Sequence, residues 1–344
     1  MNSGKVPVNV LKRSVLRQLK NKRTEIANSA GLGADCAVFA PFSEGQLVTC
    51  VQEGVVELQC ENDLAEAERE DLSVMPMRRI FQKCANNLAA AGAEPVAAEL
   101  VIFLPETVEE PELKALMEEA ERAATDLNIQ IIGGQTRVSS AVRQPIATVT
   151  GYGILSEAAV TQVSAGKILA GQDIIITKWI GLEGTADLAA RNREGLLTRY
   201  PAYLVEEAAA FDRYYSILPE AATAVKSGGC TMHDASEGGI FAGLWEMAEG
   251  AGVGLTIDMK KLPLRQETVE VCEYCNVNPY ELRSGGSLII ASPEGTAVVE
   301  ALVAEGIPAV IVGRFTDSNE RLILNEDEVR YMDRPQRDEI YKNV

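Results

Sequence analysis

The sequence predicts an α+β protein of two compact domains, and three observations support this. With 344 residues, the chain is long enough for two domains of ordinary size or for one large domain. Hydrophobic residues make up 47% of it and aromatic residues only 5%, so we expect a mainly aliphatic core, as in mixed α/β proteins. Short apolar runs typical of strands also alternate with longer segments of helical periodicity.

A β-α-β segment forms the centre of the first predicted domain. Residues 109–128 carry apolar side chains at helical spacing, with Pro111 near the start and Asn128 at the end, which indicates a capped amphipathic helix. Apolar runs at 98–103 and 129–134 flank this helix and predict strands. The rest of this half is predicted to comprise a helix within 74–95 and strands at 36–40, 46–51 and 145–155.

A loss of clear periodicity between residues 156 and 171 predicts the domain boundary, which gives domains at 1–160 and 161–344. A second set of α and β elements follows it. Strands are predicted at 173–178, 254–258, 287–291 and 309–314, and helices at 183–192, 204–218, 239–249, 266–275 and 294–305.

The charge balance limits the partners of this protein. Its formal net charge is −18, from 50 acidic and 32 basic residues, with no Lys/Arg run long enough to form a basic stripe. Nucleic acid and anionic lipid surfaces would be repelled, so neither is expected as a partner. A small phosphate-containing ligand would need a local cation or a group of backbone N–H donors. No window approaches the roughly 18 apolar residues of a membrane span.

Cysteine usage predicts a reducing, cytoplasmic location. The seven cysteines are an odd number, scattered in aliphatic surroundings, and the N-terminal residues show no apolar signal core. Cys272 and Cys275 form a CxxC pair without the second pair that a zinc site requires, so core packing is favoured over redox or metal chemistry.

Four segments place glycine and polar residues at the ends of apolar runs. They are "GLGADCAVF" (31–39), "CANNLAAAGAEP" (84–95), "IIGGQTRV" (131–138) and "MHDASEGGIF" (232–241). In the third segment, Gly133 and Gly134 follow a buried run and predict a turn at which the backbone approaches a ligand closely. Each segment alone is weak evidence, because glycine beside an apolar run is usually just a turn.

Taken in order, and with "GKVPVNVLKR" near the start and "LRSGGSLIIASPEG" (282–295), these segments resemble a known superfamily. It is the AIR-synthase-like superfamily, which contains aminoimidazole ribonucleotide synthase, thiamine-monophosphate kinase, selenophosphate synthetase and the HypE-type carbamoyl dehydratase of hydrogenase maturation. The resemblance is greatest to the HypE branch and to AIR-synthase-related proteins, and it covers nearly the whole chain.

The resemblance implies an N-terminal nucleotide-binding domain that forms a β-barrel with a second subunit, followed by an α+β C-terminal domain. It also implies a homodimer with ATP in a cleft between the domains, near the dimer interface. In such proteins magnesium holds the phosphates, and the γ-phosphate activates a small acceptor. Phosphoryl transfer of this kind depends on positioning and charge neutralisation.

The match to the family motifs is uneven. The family's Gly-Asp-Asp is here Gly33-Ala34-Asp35, which keeps one aspartate. At three family metal-ligand positions a carboxamide replaces a carboxylate: Gln52, Asn87 and Gln135. The cofactor-binding residues implied by the resemblance are Asp35, Gln52, Asn87, Gly133, Gly134, Gln135, Thr136, Arg137, Asp234, Glu237, Gly238 and Gly239.

Replacing carboxylates by carboxamides changes the predicted ligand chemistry. Mg²⁺ is normally held by one or two carboxylates and the substrate phosphates, whereas an amide offers a neutral oxygen and two N–H donors. We therefore expect ATP, if bound, to be held with little dependence on magnesium, and we assign no metal ligand and no catalytic residue. The alternative is that these amides merely cap turns or helices.

Two functional classes remain open from the sequence. One is an enzyme that uses ATP to activate, or transfer a phosphoryl group to, a small acceptor; the other is a catalytically silent relative that senses a metabolite or serves as a scaffold for a protein partner. The HypE reaction uses a cysteine on a C-terminal tail, whereas the last cysteine here is Cys275, so that reaction is not expected.

Three further side chains, those of His233, Lys178 and Arg283, could act near the predicted site. His233 is the only histidine, and either a role near a ligand or a solvated, turn-capping position fits its motif. For Lys178 and Arg283, solvation at the surface is favoured over a role as cations of the cleft.

Overall fold

The computed structural model describes residues 4–5, 10–28, 38–39, 45–56, 58, 74–157, 159, 168–228, 231–334 and 337–343. The chain separates into two compact units. Unit 1 comprises Met1–Leu88 and Ala93–Glu157, and unit 2 comprises Ala89–Gly92 and Ala158–Val344. Both units contain helices and strands, which confirms the α+β class. Asp35, one of the predicted cofactor-binding residues, lies outside the described residues.

Unit 1 is built around one open, mixed sheet. Its elements are the strands β1 (Gly4–Lys5), β2 (Ile26–Asn28), β3 (Val38–Phe39), β4 (Gln46–Val56), β5 (Val74–Met75), β6 (Glu94–Leu104), β7 (Gln130–Val138) and β8 (Ile146–Leu155), the π-helical turn Leu11–Leu16, and the helices α1 (Met77–Ala90) and α2 (Glu110–Asp126). Six strands form the sheet, in the order β1-β7-β6-β8-β4-β5, and β2 pairs with β3 separately. Within the described residues, this single chain does not form a closed barrel.

The predicted β-α-β segment is β6-α2-β7. Helix α2 begins with a capping box, in which the Glu109 backbone N–H donates to Glu112 Oε2 at 2.7 Å, and Pro111 lies in its first turn. Leu113, Leu116 and Ala120 bury the apolar face of the helix. The parallel pairing of β6 with β7 is the arrangement that a crossover helix permits.

The two faces of the unit 1 sheet differ in exposure. Helix α1 covers one face, where Ile80 packs close to Gly54 and Leu88 close to Gly151. On the opposite face, Leu47 is 47% exposed and Val51 is 53% exposed. In an antiparallel sheet with one solvated face, the side chains on that face are usually polar, so exposed aliphatic side chains there are unusual.

Unit 2 contains a second mixed sheet. Its strands are β9 (Asp173–Thr177), β10 (Thr231–Asp234), β11 (Gly254–Asp258), β12 (Leu288–Ser292), β13 (Ala309–Thr316), β14 (Arg321–Asn325) and β15 (Glu328–Tyr331), and its helices are α3 (Leu182–Arg191), α4 (Arg193–Arg199), α5 (Ala202–Ala209), α6 (Leu218–Lys226), α7 (Gly239–Ala251), α8 (Gln266–Cys275) and α9 (Gly295–Ala304). Short 3₁₀ segments lie at Ala210–Tyr214, Met259–Lys261 and Glu339–Asn343. The strand order is β10-β12-β9-β13-β11-β14-β15.

Both faces of the unit 2 sheet are buried at its centre, as the continuous apolar sequence of β9 requires. Ile174 and Ile176 pack in one cluster with α7, and Ile175 packs on the opposite face with α6 and α9. All five residues of β9 and all five of β12 are buried, so these strands form the centre of the unit.

The predicted helix at 204–218 is wrong in extent. The structure has α5, then the 3₁₀ segment Ala210–Tyr214, and then a new helix, α6, with Pro219 in its first turn. The carbonyl oxygens of Tyr214 and Ser216, at this break, accept hydrogen bonds from the buried Lys178 ammonium at 2.8 and 2.6 Å. A continuous helix would use such carbonyls internally, so the hydrogen bonds from Lys178 satisfy backbone groups that the break leaves without a helical partner.

Candidate functional site

Gly133 and Gly134 do not form the predicted turn, because β7 continues through them to Val138. Gly134 has φ +138°, and a Cβ there would lie 1.9 Å from the Leu100 carbonyl oxygen on β6. The strand pairing also shifts by one residue between Ala98 and Glu99. Glycine at position 134 is therefore required by the close approach of two strands at a β-bulge.

The register of the sheet separates Gln52 from Gln135. Across the sheet, Gln52 of β4 pairs with Val149 of β8, and Val149 pairs with Leu100 of β6. Leu100 in turn pairs with the residue of β7 that precedes Gln135. Gln135 lies in the next row of paired residues, which begins at Glu53. Since successive residues of a strand point to opposite faces, Gln52 lies on the face covered by α1, and Gln135 lies on the opposite face.

The remaining predicted residues of unit 1 follow the same division. Thr136 is buried, whereas Gln135 and Arg137 are exposed. Asn87 is half-buried on α1, next to Asn86, whose side-chain oxygen accepts a hydrogen bond from Gln82 Nε2 at 2.8 Å. Of the two adjacent asparagines, Asn87 is thus the more accessible to a ligand.

The face that carries Gln135 also carries an acid that the sequence analysis missed. Glu99 lies on β6, paired with Gly133, and accepts a hydrogen bond from the Tyr152 hydroxyl at 3.2 Å. Burial, together with the charge of Glu99, raises the pKa of Tyr152. In the sequence, Glu99 is the single charged residue within the apolar run "AAELVIF". A carboxylate that interrupts an apolar strand is the signal that could have marked this position as functional.

In unit 2, Asp234 ends β10 close to a buried ion pair. Lys178 Nζ lies 2.6 Å from Glu220 Oε1, and both side chains are less than a tenth exposed. Asp234 is 6% exposed, and its charge acts on Lys178. Burial lowers the pKa of Lys178, although Glu220 opposes this shift. The expectation that Lys178 is a solvated surface side chain is therefore wrong.

The glycine turn before α7 is held in a left-handed conformation. Gly238 and Gly239 have φ +79° and +69°, and a Cβ on Gly239 would lie 2.6 Å from the Tyr280 carbonyl oxygen. The Gly238 N–H donates to Asp338 Oδ2 at 2.6 Å, and the Ile340 N–H donates to Asp338 Oδ1 at 2.9 Å. The Asp338 carboxylate thus already accepts a hydrogen bond from a backbone N–H at the start of α7, and the start of a helix favours anions.

Arg283 is buried, with 3% exposure, so the prediction of a solvated arginine is also wrong. Its guanidinium lies 3.7 Å from Asp187, 4.0 Å from Glu183 and 3.9 Å from Glu237. It also donates to the Tyr341 hydroxyl at 3.0 Å. Burial acts to lower the pKa of Arg283, but the neighbouring carboxylates outweigh it and raise the pKa.

Glu183 was missed by the sequence analysis. It lies in the first turn of α3, is 1% exposed, and contacts Gly285 so closely that a Cβ there would lie 2.4 Å from Glu183 Oε2. The glycine pair in "LRSGGS" signalled a close backbone approach, but only the tertiary structure shows that a carboxylate fills the space. The positive charge of Arg283 is thereby balanced within the protein rather than offered to an anionic ligand.

His233 lies within β10 and packs against α7, where it contacts Gly243. Its Nε2 lies 3.4 Å from Glu246 Oε2. Burial lowers the pKa of His233 despite this carboxylate. Cys272 and Cys275 lie on α8, and burial raises the pKa values of their thiols to about 12 and about 11, which agrees with a packing role.

The described residues show neither a candidate metal site nor a candidate membrane-spanning helix. In that part of the chain, no group of three or more His, Cys, Asp or Glu side chains is arranged to hold a metal ion. None of the helices placed by the structure combines the length and the apolar character needed to span a bilayer.

The profile of the AIR synthase related protein N-terminal domain matches residues 78–155, and that of the C-terminal domain matches residues 170–325. This chain belongs to the AIR synthase related family. Carbamoyl dehydratase HypE of Rhodobacter capsulatus is 30% identical to it over 236 residues, which cover 67% of this chain and 66% of that protein. The chain therefore matches slightly less than two-thirds of the length of this relative.

Solved structures of HypE share the fold of this AIR synthase related protein. A crystal structure of HypE in complex with ATP superposes with a TM-score of 0.75 at 18% identity, covering 96% of this chain and 95% of that one. A chain of a HypE-HypF complex superposes with a TM-score of 0.65 at 20% identity, covering 86% of this chain and 92% of that one.

Proposed function

We propose that this AIR synthase related protein is a HypE-like protein of hydrogenase maturation that binds ATP, or a related phosphate compound, as a homodimer. The observation that carries the proposal is the 30% identity to a carbamoyl dehydratase HypE, found together with the fold of an ATP-bound HypE. In this proposal, residues 1–160 are the nucleotide-binding and dimerisation domain and residues 161–344 are the C-terminal domain. The buried and half-buried thiols fit a cytoplasmic location.

The proposed ligand contacts are those of the family motifs. The exposed Gln135 and Arg137 supply amide and guanidinium donors on one face of the unit 1 sheet. The complete proposed set is Asp35, Gln52, Asn87, Gly133, Gly134, Gln135, Thr136, Arg137, Asp234, Glu237, Gly238 and Gly239. Gln52 and Gln135 point to opposite faces of one sheet, so the two side chains of one chain do not converge on one ligand. In this proposal the second subunit supplies one of them, which links ligand binding to dimerisation.

The donor set argues against a resident magnesium ion. A carboxamide oxygen is neutral and attracts a hard dication less than a carboxylate does, while its N–H groups can donate directly to phosphate oxygens. We therefore propose that ATP is held by hydrogen-bond donors, with magnesium adding little to the affinity.

Titration calorimetry of ATP with and without magnesium tests this proposal. We expect the two affinities to agree within about threefold in the unmodified protein, a difference below 1 kcal/mol. Gln135→Asp should restore a magnesium-dependent gain of about tenfold, or about 1.4 kcal/mol, because it restores an anionic ligand. Gln144→Asp adds the same charge at another exposed position of unit 1 and should not create this dependence.

A large magnesium-dependent gain in the unmodified protein would refute the metal part of the proposal. Absence of ATP binding under both conditions would refute the nucleotide part.

The exposed sheet face of unit 1 supports the homodimer. Leu47, Val51 and Phe103 are 47%, 53% and 38% exposed on the face opposite α1. Exposed apolar side chains on an open sheet favour packing against a second sheet, and a second copy of the chain offers the same surface. Closing the sheet into a barrel with a partner subunit would also protect its edges.

A second candidate is a silent relative that binds a metabolite without turnover and acts as a sensor or as a scaffold for another protein. The observation that favours it is the Asp338 carboxylate, which already accepts the N–H of Gly238 at the start of α7. The HypE-HypF complex provides a precedent for a protein partner. ADP release measured over a panel of small acceptors separates the two, since turnover by the unmodified protein excludes a silent role.

A further inference from the structure

Two free thiols from different elements of unit 1 meet beneath the sheet. Cys50 lies on β4 and Cys84 on α1, and their sulfur atoms are 3.5 Å apart. The Cys50 thiol also donates to the Cys84 carbonyl oxygen at 3.3 Å. The two residues are 34 positions apart in the sequence, so only the packing of α1 on the sheet brings them together.

Gly151 creates the space in which the two sulfurs meet. It pairs with Cys50 across β4 and β8, and a Cβ at this position would lie 2.3 Å from Cys84 Sγ and 3.7 Å from Cys50 Sγ. Any larger residue would push the Cys84 side chain away. A disulfide bond requires the sulfurs to approach to about 2.05 Å, which is a movement of about 1.5 Å from the observed separation.

The two thiols differ in accessibility, which assigns each a role. Cys50 is half-buried and can be reached by a small reagent, whereas Cys84 is 1% exposed. The hydrogen bond with Cys84 lowers the pKa of Cys50, and the same contact, with burial, raises the pKa of Cys84. Cys50 is therefore the attacking thiol and Cys84 the resolving thiol, the arrangement found where oxidation is selective.

We propose that Cys50 and Cys84 form a reversible dithiol-disulfide site that is oxidised by low-molecular-weight disulfides such as oxidised glutathione. In the first step the Cys50 thiolate attacks one sulfur of the reagent, forms a mixed disulfide and releases one thiolate. In the second step Cys84 loses its proton and attacks Cys50 Sγ, forming the protein disulfide and releasing the second thiolate. Two electrons pass from the two cysteines to the reagent, and the two protons end on the two released thiols.

Oxidation of this site does not require a bound nucleotide, but the two cysteines lie close in sequence to two of the proposed ligand contacts. Cys50 lies two residues before Gln52 and Cys84 three residues before Asn87, so the disulfide would fix the spacing between β4 and α1 beside both residues. In a reducing compartment the pair remains a dithiol and becomes oxidised only when the ratio of small disulfides to thiols rises.

Peptide mapping of the unmodified, folded protein tests the proposal. After exposure to oxidised glutathione and alkylation of the remaining thiols, trypsin should release a peptide beginning at Cys84 joined to the peptide that contains Cys50, and dithiothreitol should separate the two. The Cys50 peptide also contains Cys36 and Cys60. The joined species should therefore be lost in Cys50→Ser and retained in Cys36→Ser and Cys60→Ser.

The alkylation rates provide a second measurement that needs no substitution. Burial raises the pKa of the half-buried Cys275 to about 11, whereas the contact with Cys84 lowers the pKa of Cys50, so near neutral pH Cys50 should hold more thiolate and react faster with iodoacetamide. Persistence of the joined peptides in Cys50→Ser, or accumulation of glutathione adducts without the joined species, would overturn the proposal. Equal alkylation rates of Cys50 and Cys275 would overturn the role assigned to Cys50.

Discussion

The buried ion pair between Lys178 and Glu220 gives the sharpest test of how unit 2 is held together. The Lys178 ammonium makes three contacts, with Glu220 Oε1 at 2.6 Å and with the carbonyl oxygens of Tyr214 and Ser216 at 2.8 and 2.6 Å. Lys178→Met keeps most of the side-chain volume but removes the charge and all three donors. Glu220, which is 3% exposed, is then left as an uncompensated buried carboxylate.

Removal of one partner from a buried pair costs about 3–5 kcal/mol, and neither side chain is exposed enough for solvent to screen this interaction. Urea unfolding followed by tryptophan fluorescence measures the loss, because both tryptophans of the chain, Trp179 and Trp245, lie in unit 2. Lys226→Met, at an exposed position of α6, is the matched control and should change stability by less than about 0.5 kcal/mol.

The double variant Lys178→Met with Glu220→Met separates the ion pair from the packing. Replacing both charges by apolar groups removes the uncompensated carboxylate, so the double variant should be more stable than Lys178→Met alone, with a coupling of at least about 2 kcal/mol. If Lys178→Met costs no more than Lys226→Met, or if the double variant is simply additive, the argument from the buried pair fails.

The burial of Lys178 also predicts a pH dependence of stability. Burial lowers the pKa of Lys178 below its ordinary value of 10.5. In the window between the lowered pKa and 10.5, the unfolded chain binds more protons at this site than the folded chain, so the contribution to stability rises with pH. This rise should appear as pH approaches 10.5 in the unmodified protein and be absent from Lys178→Met.

Three further predictions concern other parts of the fold. Burial lowers the pKa of His233 below 6.5, so the contribution of this side chain to stability is present above pH 6.5 and is lost as pH falls from 6.5 to the lowered pKa. Urea midpoints measured between about pH 5 and 8 should show this loss at acidic pH in the unmodified protein but not in His233→Gln. Gly239→Ala should destabilise unit 2 by about 1–3 kcal/mol in the same assay, because φ is +69° and a Cβ would lie 2.6 Å from a carbonyl oxygen, whereas Gly250→Ala, in open space on the same helix, should be neutral or stabilising. Val51→Asp should shift the protein towards monomer in sedimentation velocity, and Val329→Asp, 61% exposed in unit 2, should not; equal effects would remove the unit 1 face from the dimer proposal.

The elements that the sequence predicted well are those whose burial follows local periodicity. The predicted strand at 254–258 and the predicted helix at 266–275 have the bounds that the structure shows for β11 and α8. The long helix predicted at 109–128 is α2, two residues shorter at its C-terminal end. In each case the apolar spacing matches a single face of one element, so no distant contact is needed to specify it.

The errors lie where a distant residue completes the local structure. The helix predicted at 204–218 is interrupted where the ammonium of Lys178, the residue after β9, donates to the carbonyl oxygens of Tyr214 and Ser216. The turn predicted at Gly133 is a continuous strand because β6 pairs alongside it with a bulge. Neither partner is near in sequence, so neither effect leaves a periodic signal.

By itself, the sequence determined the α+β class, most helix positions and the membership of the AIR synthase related family, since these depend on composition, periodicity and motif order. Only the tertiary structure decided that Lys178 and Arg283 are buried beside acids, that Gln52 and Gln135 lie on opposite faces, and that Cys50 meets Cys84. The physical reason is that a charge or a thiol acquires its chemistry from partners within a few ångströms, and those partners come from strands and helices far apart along the chain.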